Sequence, residues 1–259
     1  MSTAPRALWA AEDRGLSAAD LAMHVVLPEV DGRIFLGAIS FKEPQERDPD
    51  LQFARVIHAP DPDRIDAAVA RITAWHRLRQ ATRRAVVLST YPGKTHQLAH
   101  AVGLDALASC GAILGLPHDD LGRRLTAERI HWPLSDYRRA LARLPQRLRD
   151  DLAAAWGEPP DGFRFAALRH GADLIALQPE RGEAKTRADD YHDLTRTPRH
   201  EYIAFYLWLR AQADVLIHMG AHGTLEWLPG KTVALSQDCF PEIVTGGLPV
   251  IYPFIVSNP

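Results

Sequence analysis

The chain has 259 residues, of which 46% are hydrophobic, and this length suffices for one large α/β domain or two small ones. Its 30 basic residues are balanced by 32 acidic ones, which argues against a nucleic-acid-binding protein, because such proteins need a basic face. The two cysteines form no Cys-x-x-Cys pair, so neither a zinc finger nor a disulfide framework is expected. No apolar run reaches the roughly 18 residues of a membrane span and no signal-peptide core is present, so we expect a cytoplasmic protein.

The first half of the chain predicts a helix followed by a buried strand. Residues 21–41 contain an extended apolar stretch, and the charged, proline-containing residues 42–50 predict a loop. Residues 63–83 carry apolar side chains at helical spacing and predict an amphipathic helix. Residues 85–89 contain a continuous apolar run that ends at Ser89, which is typical of a strand buried in a parallel sheet.

The following segments continue the alternation of helices and strands. Residues 98–116 predict a second helix, and residues 121–151 are helical in pattern with interruptions at prolines. Residues 173–177 predict a short strand, and residues 199–213 predict a helix rich in aromatic side chains. A further strand is predicted at 215–217. This order predicts an α/β fold with largely parallel sheet layers flanked by helices.

The domain organisation is predicted from one loop and from the last residues of the chain. Residues 158–162 are rich in proline and predict a boundary between two α/β regions, 1–157 and 163–259. Residues 249–256 end the chain with an apolar run that predicts a buried strand without a covering element. We therefore expect an incomplete part of a larger multidomain protein, truncated in its second region.

The strongest candidate site follows the strand at 215–217. Side chains that bind metals or protons recur there every four residues, at His218, His222 and Glu226. Imidazole and carboxylate together suit a divalent transition metal or a proton relay, so all three are candidate metal ligands. His222 and Glu226 are also candidate catalytic residues. The alternative for His218 is a hydrogen-bonded core histidine at the end of a strand.

Other residues around this run could contact a ligand. Gly220 and Gly223 would let a ligand approach the backbone. Lys231 could pair with a ligand carboxylate, or it could be a solvated turn residue. Arg181 follows the strand at 173–177, and an arginine there suits bidentate binding of carboxylates, with surface solvation as the alternative.

Two familiar motifs are incomplete. Met219 stands where a zincin helix would carry glutamate between its two histidines, so a metalloprotease is not expected. Residues 88–95 and 229–232 resemble phosphate loops, but Leu88 and Leu225 occupy the position of the required first glycine. Nucleotide binding by this chain is therefore not expected.

Residues 218–231, with the string His-Gly-x-x-Glu-Trp-Leu-Pro-Gly-Lys, resemble the large subunit of cobaltochelatase, CobN, to which the H subunit of magnesium chelatase is related. The resemblance covers nearly the whole chain, because further segments fit it at 27–33, 37–42, 91–94, 102–105, 202–209 and 234–256. Residues 252–256 resemble the cobalt branch of the family. The family's large subunit is several times longer, so the chain matches an internal portion, and we expect it to be inactive alone.

The resemblance implies a metal chelatase that inserts Co²⁺ into hydrogenobyrinic acid a,c-diamide on the aerobic route to cobalamin. The large subunit would hold the tetrapyrrole and the metal, and separate AAA+ subunits of CobS and CobT type would hydrolyse ATP. Aromatic walls suit a broad macrocycle, which makes Trp227 a candidate substrate contact beside Arg181, with packing as the alternative for Trp227. The alternatives are a porphyrin-binding subunit of the magnesium-chelatase type, a tetrapyrrole-binding module without chemistry, and a stand-alone metal-dependent hydrolase.

Overall fold

The structure is a computed structural model that describes residues 2–89, 100–101, 104–182, 193–220 and 225–253. The chain forms two compact units. The first unit contains Met1–Thr73 and Gly230–Glu242, and the second contains Ala74–Pro229 and Ile243–Pro259. The predicted boundary at residues 158–162 stays a prediction. In the described part of the chain, no helix is both long and apolar enough to cross a membrane.

The first unit begins with short helices, although an extended stretch is predicted from residue 21. They are α1 (Arg6–Ala11), α2 (Ala18–Leu21), a π-helical turn (Ala22–Val26) and α3 (Leu27–Val30). The Ser17 hydroxyl accepts the Asp20 backbone N–H at 3.1 Å and so caps α2. Pro28 lies in the first turn of α3, where its missing N–H costs no helical hydrogen bond. These local contacts favour helix where apolar content alone predicts extended chain.

A β-hairpin replaces the loop predicted for residues 42–50. Strands β1 (Ser40–Asp48) and β2 (Phe53–Pro60) pair antiparallel. The Asp48 carboxylate accepts the backbone N–H groups of Asp50 and Leu51, both at 2.9 Å, and thereby closes the turn. Most of β1 is exposed, so its charged side chains remain solvated within the strand. The loop prediction was wrong, because charged residues also occur in an exposed strand and do not require irregular backbone.

The core of the first unit forms around Trp9. Its ring centroid lies 4.8 Å from that of Phe41, and its indole N–H donates to the Ala234 carbonyl at 3.1 Å. The buried members of this core are Trp9, Leu16, Val25, Ala38, Phe41 and Ala234. The segment Gly230–Glu242 therefore packs with the N-terminal residues of the chain in one unit.

Helix α4 (Pro62–Arg77) confirms the predicted amphipathic helix, and a 3₁₀ turn at Leu78–Gln80 follows it. The Asp61 carboxylate accepts the Arg64 backbone N–H at 3.1 Å, which satisfies a free donor at the helix start. Val69 and Ile72, two of the apolar residues that give this segment its helical spacing, are 53% and 52% exposed. The periodicity therefore predicted the helix correctly but not the burial of its apolar face.

The second unit contains the main sheet. In chain order its strands are β3 (Arg84–Leu88), β4 (His100–Ala101), β5 (Leu104–Asp105), β6 (Ile130–Pro133), β7 (Gly162–Phe165), β8 (Ala167–His170), β9 (Asp173–Leu177), β10 (Val215–Met219) and β11 (Val250–Ile251). Five of them form one sheet in the order β11-β10-β3-β9-β8. All neighbours in it run parallel except β8, which is antiparallel to β9. The prediction of a largely parallel sheet is confirmed.

The later helices are α5 (Ala106–Leu114), α6 (Leu121–Ala127), α7 (Leu134–Leu141), α8 (Gln146–Trp156), α9 (His200–Gln212) and α10 (Phe240–Thr245). Helix α5 starts later than predicted because the Asp105 carboxylate caps it, accepting the Ala108 N–H at 2.9 Å. The predicted helical segment 121–151 is divided by strand β6, which pairs with β7. Helix α9 matches its prediction closely.

The register of the central strands brings the carboxyl ends of β3, β9 and β10 to one edge of the sheet. Leu88 lies opposite both Leu177 and Met219, so β3, β9 and β10 end at the same level. The backbone N–H of Ser89 donates to the Met219 carbonyl, and that of Gln178 donates to the Leu88 carbonyl, both at 3.0 Å. Functional side chains of α/β sheets collect at such carboxyl ends.

One face of the sheet carries a hydrophobic cluster with α5 and α6. From β10 this cluster takes Val215, Ile217 and Met219. Because side chains alternate along a strand, His218 points to the opposite face of the sheet.

Candidate functional site

His218 is buried at the carboxyl end of β10, with 2% of its surface exposed. Its Nε2 lies 2.8 Å from the Ser89 hydroxyl at the end of β3, and its ring centroid lies 5.1 Å from that of Tyr252. The hydrogen bond occupies Nε2 whether that atom donates or accepts, so only Nδ1 could coordinate a metal. Ser89 is absent from the sequence-based site, because its proximity to His218 depends on strand register.

Gly220 is buried directly after β10. A Cβ on this residue would overlap both the Cβ and the hydroxyl of Ser89. Glycine is therefore needed here for the packing of two strand ends, independently of any ligand. The predicted contact of Gly220 with substrate stays a prediction, and Gly223 and His222 lie outside the described residues.

Glu226 lies in a short 3₁₀ helix, Leu225–Trp227, and its side chain is exposed. Within the described part of the chain, no side-chain hydrogen bond or ion pair engages its carboxylate. The turn itself is closed by the Leu228 N–H, which donates to the Leu225 carbonyl at 3.3 Å. The carboxylate is thus open to solvent and accessible to a cation.

Arg181 connects the 3₁₀ turn Leu225–Trp227 to other residues near the carboxyl ends of the strands. It is 6% exposed, and its Nη1 donates to the Trp227 carbonyl. Its own carbonyl accepts the Arg199 N–H at 2.9 Å, directly before α9. The Gln178 side chain, which follows β9, donates to the Tyr202 hydroxyl at 3.1 Å. The loop after β9, the start of α9 and the 3₁₀ turn are therefore connected by hydrogen bonds.

The positive charge of Arg181 also lowers the pKa of a neighbouring carboxyl group, that of Asp193. Hydrogen bonds from the Thr195 hydroxyl and backbone N–H lower the pKa of Asp193, and the nearby Arg181 guanidinium lowers it further. Asp193 is therefore ionised near neutral pH and partly balances the buried cation.

Lys231 belongs to the first unit and is 9% exposed. Its ammonium donates to the carbonyls of Ala10 and Glu12, at 3.0 Å and 2.7 Å, and lies 5.4 Å from the Trp9 ring centroid. These carbonyls lie at the end of α1, where helices leave acceptors without internal partners. The described contacts of Lys231 therefore stabilise a helix end, and its contact with substrate stays a prediction.

In the part of the chain that the structure describes, no three side chains of His, Cys, Asp or Glu come together as a metal site. Both cysteines are buried. Burial raises the pKa of the Cys110 thiol to about 12, so it stays protonated near neutral pH. The Cys239 sulfur accepts the backbone N–H groups of Lys231 and Ser236, both at 3.3 Å. The predicted set of His218, His222 and Glu226 includes one residue outside the described segments and stays a prediction.

A separate cavity of about 640 Å³ lies beside the start of α9. Its wall includes Trp156, whose ring centroid lies 5.6 Å from the Arg199 guanidinium. His200, also in the wall, is hydrogen-bonded to the Tyr137 hydroxyl at 2.7 Å and to the Gly157 carbonyl at 3.0 Å. Because its polar atoms are engaged by the protein, His200 acts as a core histidine. The cavity wall carries both charge signs and matches no single class of ligand.

Known proteins resemble this chain over its full length. The model of the CobN/Magnesium Chelatase family matches residues 1–259. The aerobic cobaltochelatase subunit CobN of Pseudomonas aeruginosa is 39% identical over 98% of this chain and 24% of its own length. The H subunit of the magnesium chelatase of Rhodobacter capsulatus is 26% identical over 97% of this chain and 24% of its own length.

A solved structure agrees with these sequence comparisons. The catalytic subunit of cobaltochelatase from Mycobacterium tuberculosis superimposes with a TM-score of 0.83 at 35% identity, over 100% of this chain and 25% of that one. The chain therefore spans about a quarter of the length of the relatives that it matches.

Proposed function

The chain belongs to the CobN/Magnesium Chelatase family, and we propose that it forms part of the tetrapyrrole- and metal-binding large subunit of a cobaltochelatase. One observation supports cobalt over magnesium as the inserted metal. Over almost the same residues, the chain is 39% identical to a CobN subunit and 26% identical to the H subunit of a magnesium chelatase. The substrates would be Co²⁺ and hydrogenobyrinic acid a,c-diamide.

The chemistry of insertion fits the side chains at the carboxyl edge. Two N–H protons must leave the macrocycle as the cation enters, and the hydrated cation must lose water. The site therefore needs a base and exchangeable ligands, and neutral histidine and ionised glutamate serve both purposes. The exposed Glu226 carboxylate is open to either role, and His222 lies four residues before it. His218 is a weaker candidate because its Nε2 is bonded to Ser89.

ATP would be hydrolysed by separate AAA+ subunits of CobS and CobT type. Both phosphate-loop-like segments lack the first glycine, which supports this division of labour. Leu88, which occupies that position in the first segment, is the last residue of strand β3. Leu225, which occupies it in the second, lies in the 3₁₀ turn with Glu226.

The test measures Co²⁺ insertion by the full-length protein with its partner subunits and ATP, following the absorbance of the macrocycle. We expect His222→Ala and Glu226→Gln each to lower the insertion rate by about 100-fold or more. The control Glu46→Gln removes an exposed carboxylate on β1 and should keep the full rate. Circular dichroism should be the same for all variants. Full rates in both site variants would overturn the site assignment.

Replacing the substrates separates the remaining alternatives. With Mg²⁺ and a porphyrin, the wild-type complex should insert no metal. Faster insertion of Mg²⁺ than of Co²⁺ would assign the chain to the magnesium branch of the family. Macrocycle binding without insertion of either metal would instead indicate a tetrapyrrole-binding module.

A further inference from the structure

The position of the Glu226 carboxylate depends on the backbone around it. Among the described residues, no side chain holds this carboxylate by a hydrogen bond or an ion pair. Its 3₁₀ turn has three residues, and short 3₁₀ segments have poor hydrogen-bond geometry of their own. A contact from outside the turn is therefore needed to hold Glu226 in one orientation.

Arg181 makes such a contact. Its Nη1 donates to the carbonyl of Trp227, the residue directly after Glu226. The guanidinium is buried, and a buried cation is costly unless the protein satisfies its donors, so this side chain is held firmly in place. The backbone of Arg181 is fixed as well, because its carbonyl accepts the Arg199 N–H at 2.9 Å. The turn is thus connected to Arg199, the residue directly before α9, through one arginine.

We propose that Arg181 is a positioning residue for metal insertion, which orients Glu226 through the Trp227 carbonyl. This inference rests on the proposed function and deepens it. It differs from the expectation that Arg181 clamps a substrate carboxylate, since Arg181 is only 6% exposed and its guanidinium is bonded to the backbone. A shift of about 1 Å in a catalytic group can lower a rate by about 100-fold.

The test is a double-mutant cycle in the full-length complex, measured as kcat, KM for Co²⁺ and Kd for the macrocycle. Arg181→Met should lower kcat by about 10- to 100-fold and leave the macrocycle Kd within about twofold. Arg181→Lys keeps a donor and a charge, so it should restore part of the loss. The Arg181→Met/Glu226→Gln double variant should be no slower than Glu226→Gln alone, because both changes disable the same group.

The matched control is Arg210→Met. Arg210 lies in the last turn of α9, and its Nη1 donates to the Ile243 carbonyl at 2.5 Å. This variant loses the same kind of contact at the other end of the helix and should keep the wild-type kcat. If Arg181→Met does not fold, the cycle is run with Arg181→Lys.

The outcomes separate this inference from the proposed function. An unchanged rate for Glu226→Gln would overturn the site assignment and the role of Arg181 together. If Glu226→Gln lowers kcat, but the double variant lowers it by the product of the two single effects, the Arg181 proposal alone is overturned. A raised macrocycle Kd at normal kcat in Arg181→Met would also overturn it, and would assign Arg181 to substrate binding.

Discussion

The imidazole of His218 is hydrogen-bonded to the Ser89 hydroxyl at 2.8 Å, and both residues are almost completely buried. The bond joins the carboxyl ends of two neighbouring parallel strands, β10 and β3. It lies directly before the segment that carries His222 and Glu226. A structural contact between the strands thus anchors the start of the candidate site.

Replacing Ser89 with alanine should destabilise the second unit. The change leaves a buried imidazole nitrogen without its partner, and such a group costs about 1–3 kcal/mol. We expect a lower midpoint of thermal unfolding for Ser89→Ala in the full-length protein. Ser135→Ala removes an exposed hydroxyl on α7 and serves as the control. Equal midpoints for the two variants would show that the bond adds no stability.

Replacing Gly220 with alanine should also be destabilising, by about 1–3 kcal/mol, because the new methyl group would overlap Ser89. The overlap disappears when Ser89 is replaced by glycine. The Gly220→Ala/Ser89→Gly double variant should therefore lose less stability than the sum of the two single changes, measured by denaturant unfolding. Strict additivity would mean that the overlap is relieved in another way.

The hydrophobic pattern predicts the central part of the fold well. Residues 85–89, 173–177 and 215–217 have continuous apolar runs, and all three form neighbouring parallel strands. Such runs are informative because a strand covered on both faces must be apolar throughout. The hydrophobic pattern does not predict the π-helical turn at Ala22–Val26 or the charged strand β1, because local caps and turns determine both.

The candidate site is only partly predictable. The spacing of His218, His222 and Glu226 marks the segment, but it does not show that His218 is engaged by another strand. Ser89 and the Arg181–Trp227 bond join residues far apart in sequence, so only the strand order and the loop paths bring them together. Side-chain chemistry predicts which residues could act, and tertiary contacts decide which of them are available.

The ion pair of Asp173 with Arg84 should make stability depend on pH. Burial acts to raise the pKa of Asp173, but the hydrogen bonds from the Arg84 side chain and backbone outweigh it and lower the pKa below its usual range. A lowered folded-state pKa stabilises the protein above the unfolded value, and the contribution is lost as pH falls through the folded value.

Asp173→Asn should therefore unfold more easily than the wild type at neutral pH, and the difference should shrink below about pH 4. The measurement is the denaturant midpoint as a function of pH. Asp119→Asn, which changes a carboxylate with 95% of its side chain exposed, should show no such trend. If the difference in denaturant midpoint between Asp173→Asn and the wild type stays constant from neutral to acid pH, the ion pair does not titrate as described.

Lys231→Met tests whether the lysine stabilises α1. The change removes the donors to the Ala10 and Glu12 carbonyls, so the end of α1 should open more often. We expect faster amide hydrogen exchange in Arg6–Ala11 of the full-length protein. Lys42→Met, in the solvated hairpin, is the control for loss of a positive charge. Unchanged exchange in Lys231→Met would show that the lysine does not stabilise the end of α1.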